Sequence, residues 1–243
     1  MDPIMANASS SAKNLMREFS VITNNIANAS TIGYKRQINK FTRAVKAQQG
    51  NAPGGPDKEI DLTSVLDFSQ GGVLKTDRAL DFAIMGKGFF VIETPDGTLY
   101  TRKGVFLTNT NGQLVDSDGQ LVMGESGPIT IPPNVSTDEL SVSCEGSISA
   151  NGALIDKFKL IDFKEDENKL QPCGSCCYTA PKDITSEPAQ NVLVRQGFQE
   201  ASNVRIIDEM VDMIMVTRLY ESNLQFISAK QKTSSSLMDL AMG

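Results

Sequence analysis

The feature that most constrains this chain is its last segment. Ile206, Met210, Met213, Thr217, Tyr220, Leu224, Ile227, Gln231, Ser234, Met238 and Ala241 follow one another at alternating steps of four and three. That is heptad spacing, and the stripe turns more polar toward its C-terminal end. A second stripe, Val204, Ile207, Val211 and Ile214, runs beside it. Ser202 or Asn203 can cap the helix. About 38 residues at 1.5 Å each make a rod of about 57 Å. A helix that long, with two apolar stripes, needs more than one partner helix. One partner lies in this chain; the rest is left to neighbouring subunits or to further core, and the length of the rod, beyond a domain of this size, favours subunits.

The partner in this chain is the N-terminal segment. Ile4, Ala8, Ala12, Leu15, Phe19, Ile22 and Ile26 form one narrow, Ala-rich stripe at helical spacing, suited to close helix-helix contact. It runs into Asn24-Asn25-Ile26-Ala27-Asn28-Ala29-Ser30-Thr31-Ile32-Gly33-Tyr34-Lys35. Asn28, Ser30, Thr31 and Gly33 are helix-ending residues, whereas Asn24 and Asn25 lie one turn earlier, within the helical pattern. The stretch reads as a helix that finishes at a polar junction. A plain cap within one subunit is one explanation of the Asn cluster, and register-setting between helices is another.

Between the helices the pattern changes twice. Gln48 through Pro56 is rich in breakers and reads as a linker. From about Phe68 to Val194 the pattern is β. Pro95-Asp96-Gly97, Asn111-Gly112, Asp118-Gly119 and Asn151-Gly152 mark turns between short strands such as Leu114-Val115 and Leu121-Val122. The fold class is α+β. Residues 1–46 hold the N-terminal helix and junction, 47–67 a linker, 68–200 a central antiparallel all-β domain, and 201–243 a C-terminal helix paired with the first as a coiled coil.

Composition then removes function classes. The chain has 243 residues, a formal net charge of −6, no histidine and no tryptophan. Without histidine there is no Ser-His or Cys-His nucleophile and no His-ligated metal. The acidic balance argues against nonspecific nucleic-acid binding. No apolar run approaches the roughly 18 residues of a membrane span, so no membrane insertion is expected, and no general secretory signal is visible. The acid-free stretch from Phe19 to Pro56, with Lys35, Arg36, Lys40, Arg43 and Lys46, reads as a solvated basic face or, alternatively, as a patch that meets an acidic neighbour. Asp156, Asp162, Glu165, Asp166 and Glu167 read as a solvated acidic one.

Four ordered motifs resemble the bacterial flagellar rod and hook proteins. The first is Asn24-Asn25-Ile26-Ala27-Asn28, then Thr31, then Gly33-Tyr34-Lys35. The second is Leu80-Asp81-Phe82-Ala83-Ile84-Met85-Gly86-Lys87-Gly88-Phe89-Phe90. The third is Tyr100 to Phe106, followed by Asn111 to Val115. The fourth runs from Ser202-Asn203-Val204 through Glu209 to Ile214, Arg218, Tyr220-Glu221 and Asn223. Within that family, Gly124 to Pro132 is similar to a segment of the FlgF-type proximal rod branch, with the FlgG-type distal rod branch next.

The resemblance implies a structural subunit and no enzyme. It implies assembly with copies of itself and other flagellar rod proteins into a helical, torque-transmitting tube. It implies unfolded export by the flagellar type III apparatus and a place in the periplasmic part of the basal body. It implies no cofactor and no nucleic acid. The subunit-interface residues are then Asn24, Asn25, Asn28, Thr31, Gly33, Tyr34 and Lys35 from the first motif. Asn203, Val204, Ile207, Met210, Val211, Ile214, Arg218, Tyr220 and Asn223 come from the last, where Thr217, Arg218, Glu221 and Asn223 would set register.

The cysteines depart from the family. Cys173-Gly174-Ser175-Cys176-Cys177 stands where the family usually has a Gly-Asn-Leu-Tyr-like strand entry, and Cys144 lies upstream. Free packed thiols, a disulfide with Cys144 as one possible partner, and a four-cysteine metal site are the readings. The metal is disfavoured because successive strand side chains face opposite ways. The competing function class is therefore a cysteine-based metal or redox module on a helical oligomer.

Overall fold

A computed structural model describes residues 3–45, 58–190 and 192–242. They form two compact units. One takes the two ends of the chain and residues 37–65, and the other takes 28–36 and 66–204.

In the first unit, helix α1 spans Pro3–Ala27, strands β1 (Gln37–Val45) and β2 (Lys58–Leu66) pair as a two-stranded sheet, and helix α2 spans Ile206–Met242. Both terminal helices appear where the apolar periodicity puts them. They run antiparallel, side by side. Asn25 meets Glu209, Leu15, Met16 and Phe19 share a groove with Val216, Thr217 and Tyr220, and Asn7, Ala8 and Ser11 face Leu219, Asn223 and Phe226.

The seam on α2 differs from the expected one. Its least exposed positions are Glu209, Met213, Val216, Tyr220, Asn223 and Ile227, again at steps of four and three, with Asp212 half-buried beside Met213. Met213, Tyr220 and Ile227 belong to the expected stripe. Ile206, Met210 and Leu224 do not face α1, and remain 41%, 50% and 42% exposed. A helix apolar on most sides offers several seams, and sequence spacing alone does not pick the one that its partner covers.

The β1–β2 ribbon is a further difference. Residues 58–66 form a strand where the reading places a linker; the breaker-rich stretch itself lies mostly outside the described residues. Ile38, Phe41 and Val45 step by three and four, so no period of two announced β1.

The second unit is antiparallel β throughout its recorded pairings. Its strands are β3 (Val73–Lys75), β4 (Phe82–Met85), β5 (Phe89–Thr94), β6 (Gly97–Thr101), β7 (Leu107–Thr108), β8 (Leu114–Val115) and β9 (Leu121–Val122). They continue with β10 (Leu140–Val142), β11 (Ser147–Ala150), β12 (Ala153–Lys157), β13 (Leu160–Asp162), β14 (Gln171–Pro172) and β15 (Cys177–Thr179). The last are β16 (Glu187–Pro188), β17 (Leu193–Gln196) and β18 (Phe198–Glu200). The largest sheet runs β14-β15-β6-β5-β9-β8-β7. The turn signals are realised as expected. Thr94 pairs with Gly97 around Pro95-Asp96. Ala150 pairs with Ala153 around Asn151-Gly152, both at positive φ, the type I′ geometry that fits strand twist.

Strand β5 organises the core because both its faces are buried. Phe90 points into a cluster with Phe82, Phe106 and Phe158, packed edge-to-face at ring separations of 5.0–5.3 Å for Phe82–Phe158, Phe90–Phe106 and Phe90–Phe158. Phe89 and Val91 point into a second cluster with Phe163, Leu170 and Tyr178. Period-two alternation thus sends neighbouring residues into different cores. That explains the unbroken apolar run Phe89-Phe90-Val91-Ile92.

Candidate functional site

The polar junction after α1 is where the chain's unusual chemistry collects. α1 ends at Ala27, and the next residues form tight turns. The Thr31 amide donates to the Asn28 carbonyl (3.0 Å), the Thr31 hydroxyl to Asn28 Oδ1 (3.2 Å), and the Tyr34 amide to the Thr31 carbonyl (3.3 Å). Gly33 sits at φ +72, where a Cβ would lie 2.7 Å from the Lys103 backbone. Both the left-handed conformation and the close approach require glycine. Its amide donates to the Glu200 carbonyl at 2.8 Å.

Two residues on, Lys35 is 1% exposed. Its Nζ donates to Glu200 Oε1 and to the Ser69 carbonyl, each at 2.7 Å. Glu200 is wholly buried at the end of β18, and its Oε1 also accepts the Gly71 amide at 3.0 Å. Arg102 completes the cluster. Its Nη1 lies 3.6 Å from Glu200 Oε2 and donates to the Gly86 carbonyl at 2.8 Å. Its guanidinium carbon sits 5.1 Å from the Phe89 ring centroid. Two buried cations thus share one buried carboxylate. Burial pulls the Lys35 ammonium below its ordinary range against the upward pull of Glu200. Burial likewise lowers Arg102, opposed first by Glu200 and then by Glu167 and Asp162. A buried charge is tolerable only when paired and hydrogen-bonded, so β18, the loop at 69–71 and the junction are tied into one arrangement.

Asn203 ties the same junction by backbone. Its Oδ1 accepts the Arg36 amide at 2.7 Å, and its Nδ2 donates to the carbonyls of Asp67 (2.8 Å) and Ser69 (3.1 Å). It is therefore no cap of α2, which begins only at Ile206; the Ser202 hydroxyl accepts the Val204 amide instead.

Within the helical unit, Asn25 is 1% exposed. Its Oδ1 accepts the Gln37 amide (2.9 Å), and its Nδ2 donates to the Gln37 carbonyl (2.8 Å) and to Glu209 Oε2 (3.1 Å). One amide thus starts β1 and meets α2.

The sixteen expected interface positions separate by burial. Asn25, Gly33, Lys35 and Val204 are buried inside their units, and Asn28, Thr31, Tyr34, Asn203, Tyr220 and Asn223 are half-buried. Asn24, Ile207, Met210, Val211, Ile214 and Arg218 are exposed. Glu200, Arg102 and Glu209 were missed by sequence reasoning. Each has polar or charged neighbours in sequence, Lys103 beside Arg102, Asp208 beside Glu209 and Gln199 beside Glu200, so the only signal was position: Arg102 and Glu209 lie within the third and fourth motifs, and Glu200 stands just before the fourth.

The four cysteines are free thiols. Cys144 and Cys173 are exposed, Cys176 is half-buried and Cys177 is buried. The possible disulfides are not formed here. Among the described residues, no three His, Cys, Asp or Glu side chains converge as metal ligands, and no helix is long and apolar enough to cross a membrane.

Family models match along most of the chain. Residues 5–35 match a flagella basal body rod protein model, 83–150 the flagellar hook protein FlgE/F/G D1 domain, and 195–240 the flagellar basal body rod FlgEFG protein C-terminal region. A flagellar basal-body rod protein FlgF of Mesorhizobium japonicum is 32% identical over 229 residues, covering 91% of this chain and 90% of that protein. A flagellar basal-body rod protein FlgG of Bacillus subtilis is also 32% identical, over 256 residues, covering 95% and 96%. The two branches are equally similar. The buried junction falls at the end of the first matched region and the start of the last, and by matches at both ends and in the middle the chain belongs to the flagellar basal-body rod protein family.

Proposed function

We propose that the chain is a structural subunit of the flagellar rod, and that its helical unit packs against copies of itself and other rod proteins to build a torque-transmitting tube. One observation carries the reading. α1 covers a single stripe of α2, and Ile207, Met210, Val211, Ile214 and Met215 remain 50–76% exposed. A contiguous apolar surface of this kind marks an association site. Repeated heterologous contacts that do not close on themselves produce a filament or tube. The α1–α2 pair is read as an antiparallel coiled coil within that wall, extended by neighbours. Asn24, Arg218 and the exposed α2 residues are the inter-subunit contacts, with Asn28, Thr31, Tyr34, Tyr220 and Asn223 at their margins. The buried Lys35–Glu200 pair braces the β unit internally.

The proximal part of the rod is the favoured position, supported by the Gly124–Pro132 segment. A distal position is the second reading, favoured by the equal similarity to relatives named FlgG. Export by the flagellar type III apparatus and a periplasmic location complete the proposal. The deciding experiment is mass spectrometry of basal bodies isolated from the source bacterium, alongside a deletion strain. The proposal expects the chain in the rod fraction and, on deletion, assembly that halts at the proximal rod. A halt after the proximal rod selects the distal reading. Rods that assemble fully without the chain overturn both.

A further inference from the structure

We propose that Cys173 and Cys177 are a cross-strand thiol pair that a small-molecule disulfide oxidises to an intrachain disulfide closing the β14–β15 hairpin. The register carries the argument. Gln171 pairs with Thr179 and Pro172 with Tyr178, so the next step of the ladder sets Cys173 opposite Cys177. The Cys173 amide donates to the Cys177 carbonyl at 2.8 Å, continuing that ladder. The pair keeps one of the two bonds that a regular hydrogen-bonded pair exchanges, because the Cys177 amide turns to the Gly174 carbonyl; regular pairs have Cα atoms about 5.5 Å apart, inside the disulfide range of about 4.4–6.8 Å. Directly opposed residues also project from the same face of the sheet.

Cys176, the nearer residue in sequence to both, is set apart by the turn. The Cys177 amide donates to the Gly174 carbonyl at 2.7 Å, so Ser175 and Cys176 are the two central turn residues, at φ +45 and +61. Cys176 is off the ladder, and its carbonyl is held by the Thr101 hydroxyl at 2.8 Å. On its other side, Cys177 pairs with Thr101 of β6, which fixes β15 within the sheet.

The exposures divide the chemistry. Cys173 is open to solvent and Cys177 is buried. The Cys173 thiolate attacks one sulfur of oxidised glutathione, giving a mixed disulfide and releasing one glutathione thiolate. That thiolate takes the proton of Cys177, whose sulfur then displaces the second glutathione from Cys173. Two protein thiols are oxidised and one glutathione disulfide is reduced to two thiols. Burial holds the Cys177 thiol up at about 11, so Cys173 is the entering nucleophile and Cys177 the resolving one.

The test treats the full-length chain with oxidised glutathione, blocks residual thiols by alkylation, and maps disulfides in a non-reducing digest. Cys144→Ser, alone or combined with Cys176→Ser, is expected to give a Cys173–Cys177 link with two thiols lost, and wild type the same link with Cys144, an exposed thiol, open to a separate glutathione. Cys177→Ala is expected to stop with one glutathione on Cys173. Cys173→Ser, a solvent-exposed change that keeps the fold, is expected to keep Cys177 unmodified. A Cys173–Cys176 or Cys176–Cys177 link, links only between molecules, or no loss of thiols overturns the proposal.

Discussion

Lys35 and Glu200 are separated by 165 residues, yet Nζ and Oε1 lie 2.7 Å apart with both side chains wholly buried. Glu200 serves a second cation, Arg102, so the two partners are not equivalent. Glu200→Leu strands two buried cations, and breaking a buried pair costs about 3–5 kcal/mol. Lys35→Met leaves Glu200 with Arg102 and is expected to cost less. Urea unfolding of the two variants measures the difference. Equal losses would show that Arg102 does not depend on Glu200.

Gly33 makes two demands that a second glycine separates. Gly33 (φ +72) faces the Lys103 backbone at 2.7 Å, whereas Gly119 (φ +80) has nothing within 4 Å of a built Cβ. Gly119→Ala is expected to cost about 1–2 kcal/mol, from the left-handed conformation alone. Gly33→Ala adds a backbone clash and should cost clearly more. Thermal unfolding of both variants checks this, and a similar loss would mean that the junction relaxes away from Lys103.

The legible parts of this molecule were those whose signal is local. The helices declared themselves by residues three and four apart, and the hairpins by Asn-Gly and Asp-Gly pairs. Gly33 and Thr31 marked a junction because turn chemistry resides in single residues. Lys35 reads from sequence as part of a basic stretch, solvated or meeting an acidic neighbour, and a lysine beside Arg36 gives no hint that the carboxylate lies 165 residues on in the same chain. Glu200 was equally silent, because burial of a charge is decided by tertiary pairing and not by its neighbours in sequence. Asn203 looked like a cap and instead braces Arg36, since the same amide satisfies either backbone. On α2, an apolar composition on most sides hid which stripe α1 would take.

The buried Cys177 gives stability a pH dependence. Its thiol is raised from near 9 to about 11 in the folded chain, by burial first and then by Asp116. Above pH 9 the unfolded chain releases this proton first, so the folded state holds more protons and loses stability as pH rises. The contribution is whole below pH 9 and gone by about pH 11. Tyr178, also raised by burial, is present in both proteins and cancels in a difference. The stability gap between reduced wild type and Cys177→Ala is therefore expected to shrink across that window, measured by urea unfolding. A gap constant from pH 8 to 11 would place the thiol in water.

Ile214 and Val216 are two residues apart on α2 but 55% and 8% exposed. Val216 lines the groove with Leu15 and Phe19 of α1, so Val216→Glu buries an unpaired carboxylate there and should cost about 3 kcal/mol. Ile214→Glu changes a surface position and is expected to stay within about 0.5 kcal/mol in the isolated chain. In the cell the order should reverse in its cause. Ile214→Glu is expected to produce a folded protein that fails to enter rods, and Val216→Glu a protein that is lost before assembly. Unfolding curves, steady-state protein level and basal-body incorporation together make the comparison. If Ile214→Glu enters rods normally, the wall is built on another face of α2, and the exposed stripe through Ile207, Val211 and Ile214 faces no neighbouring subunit.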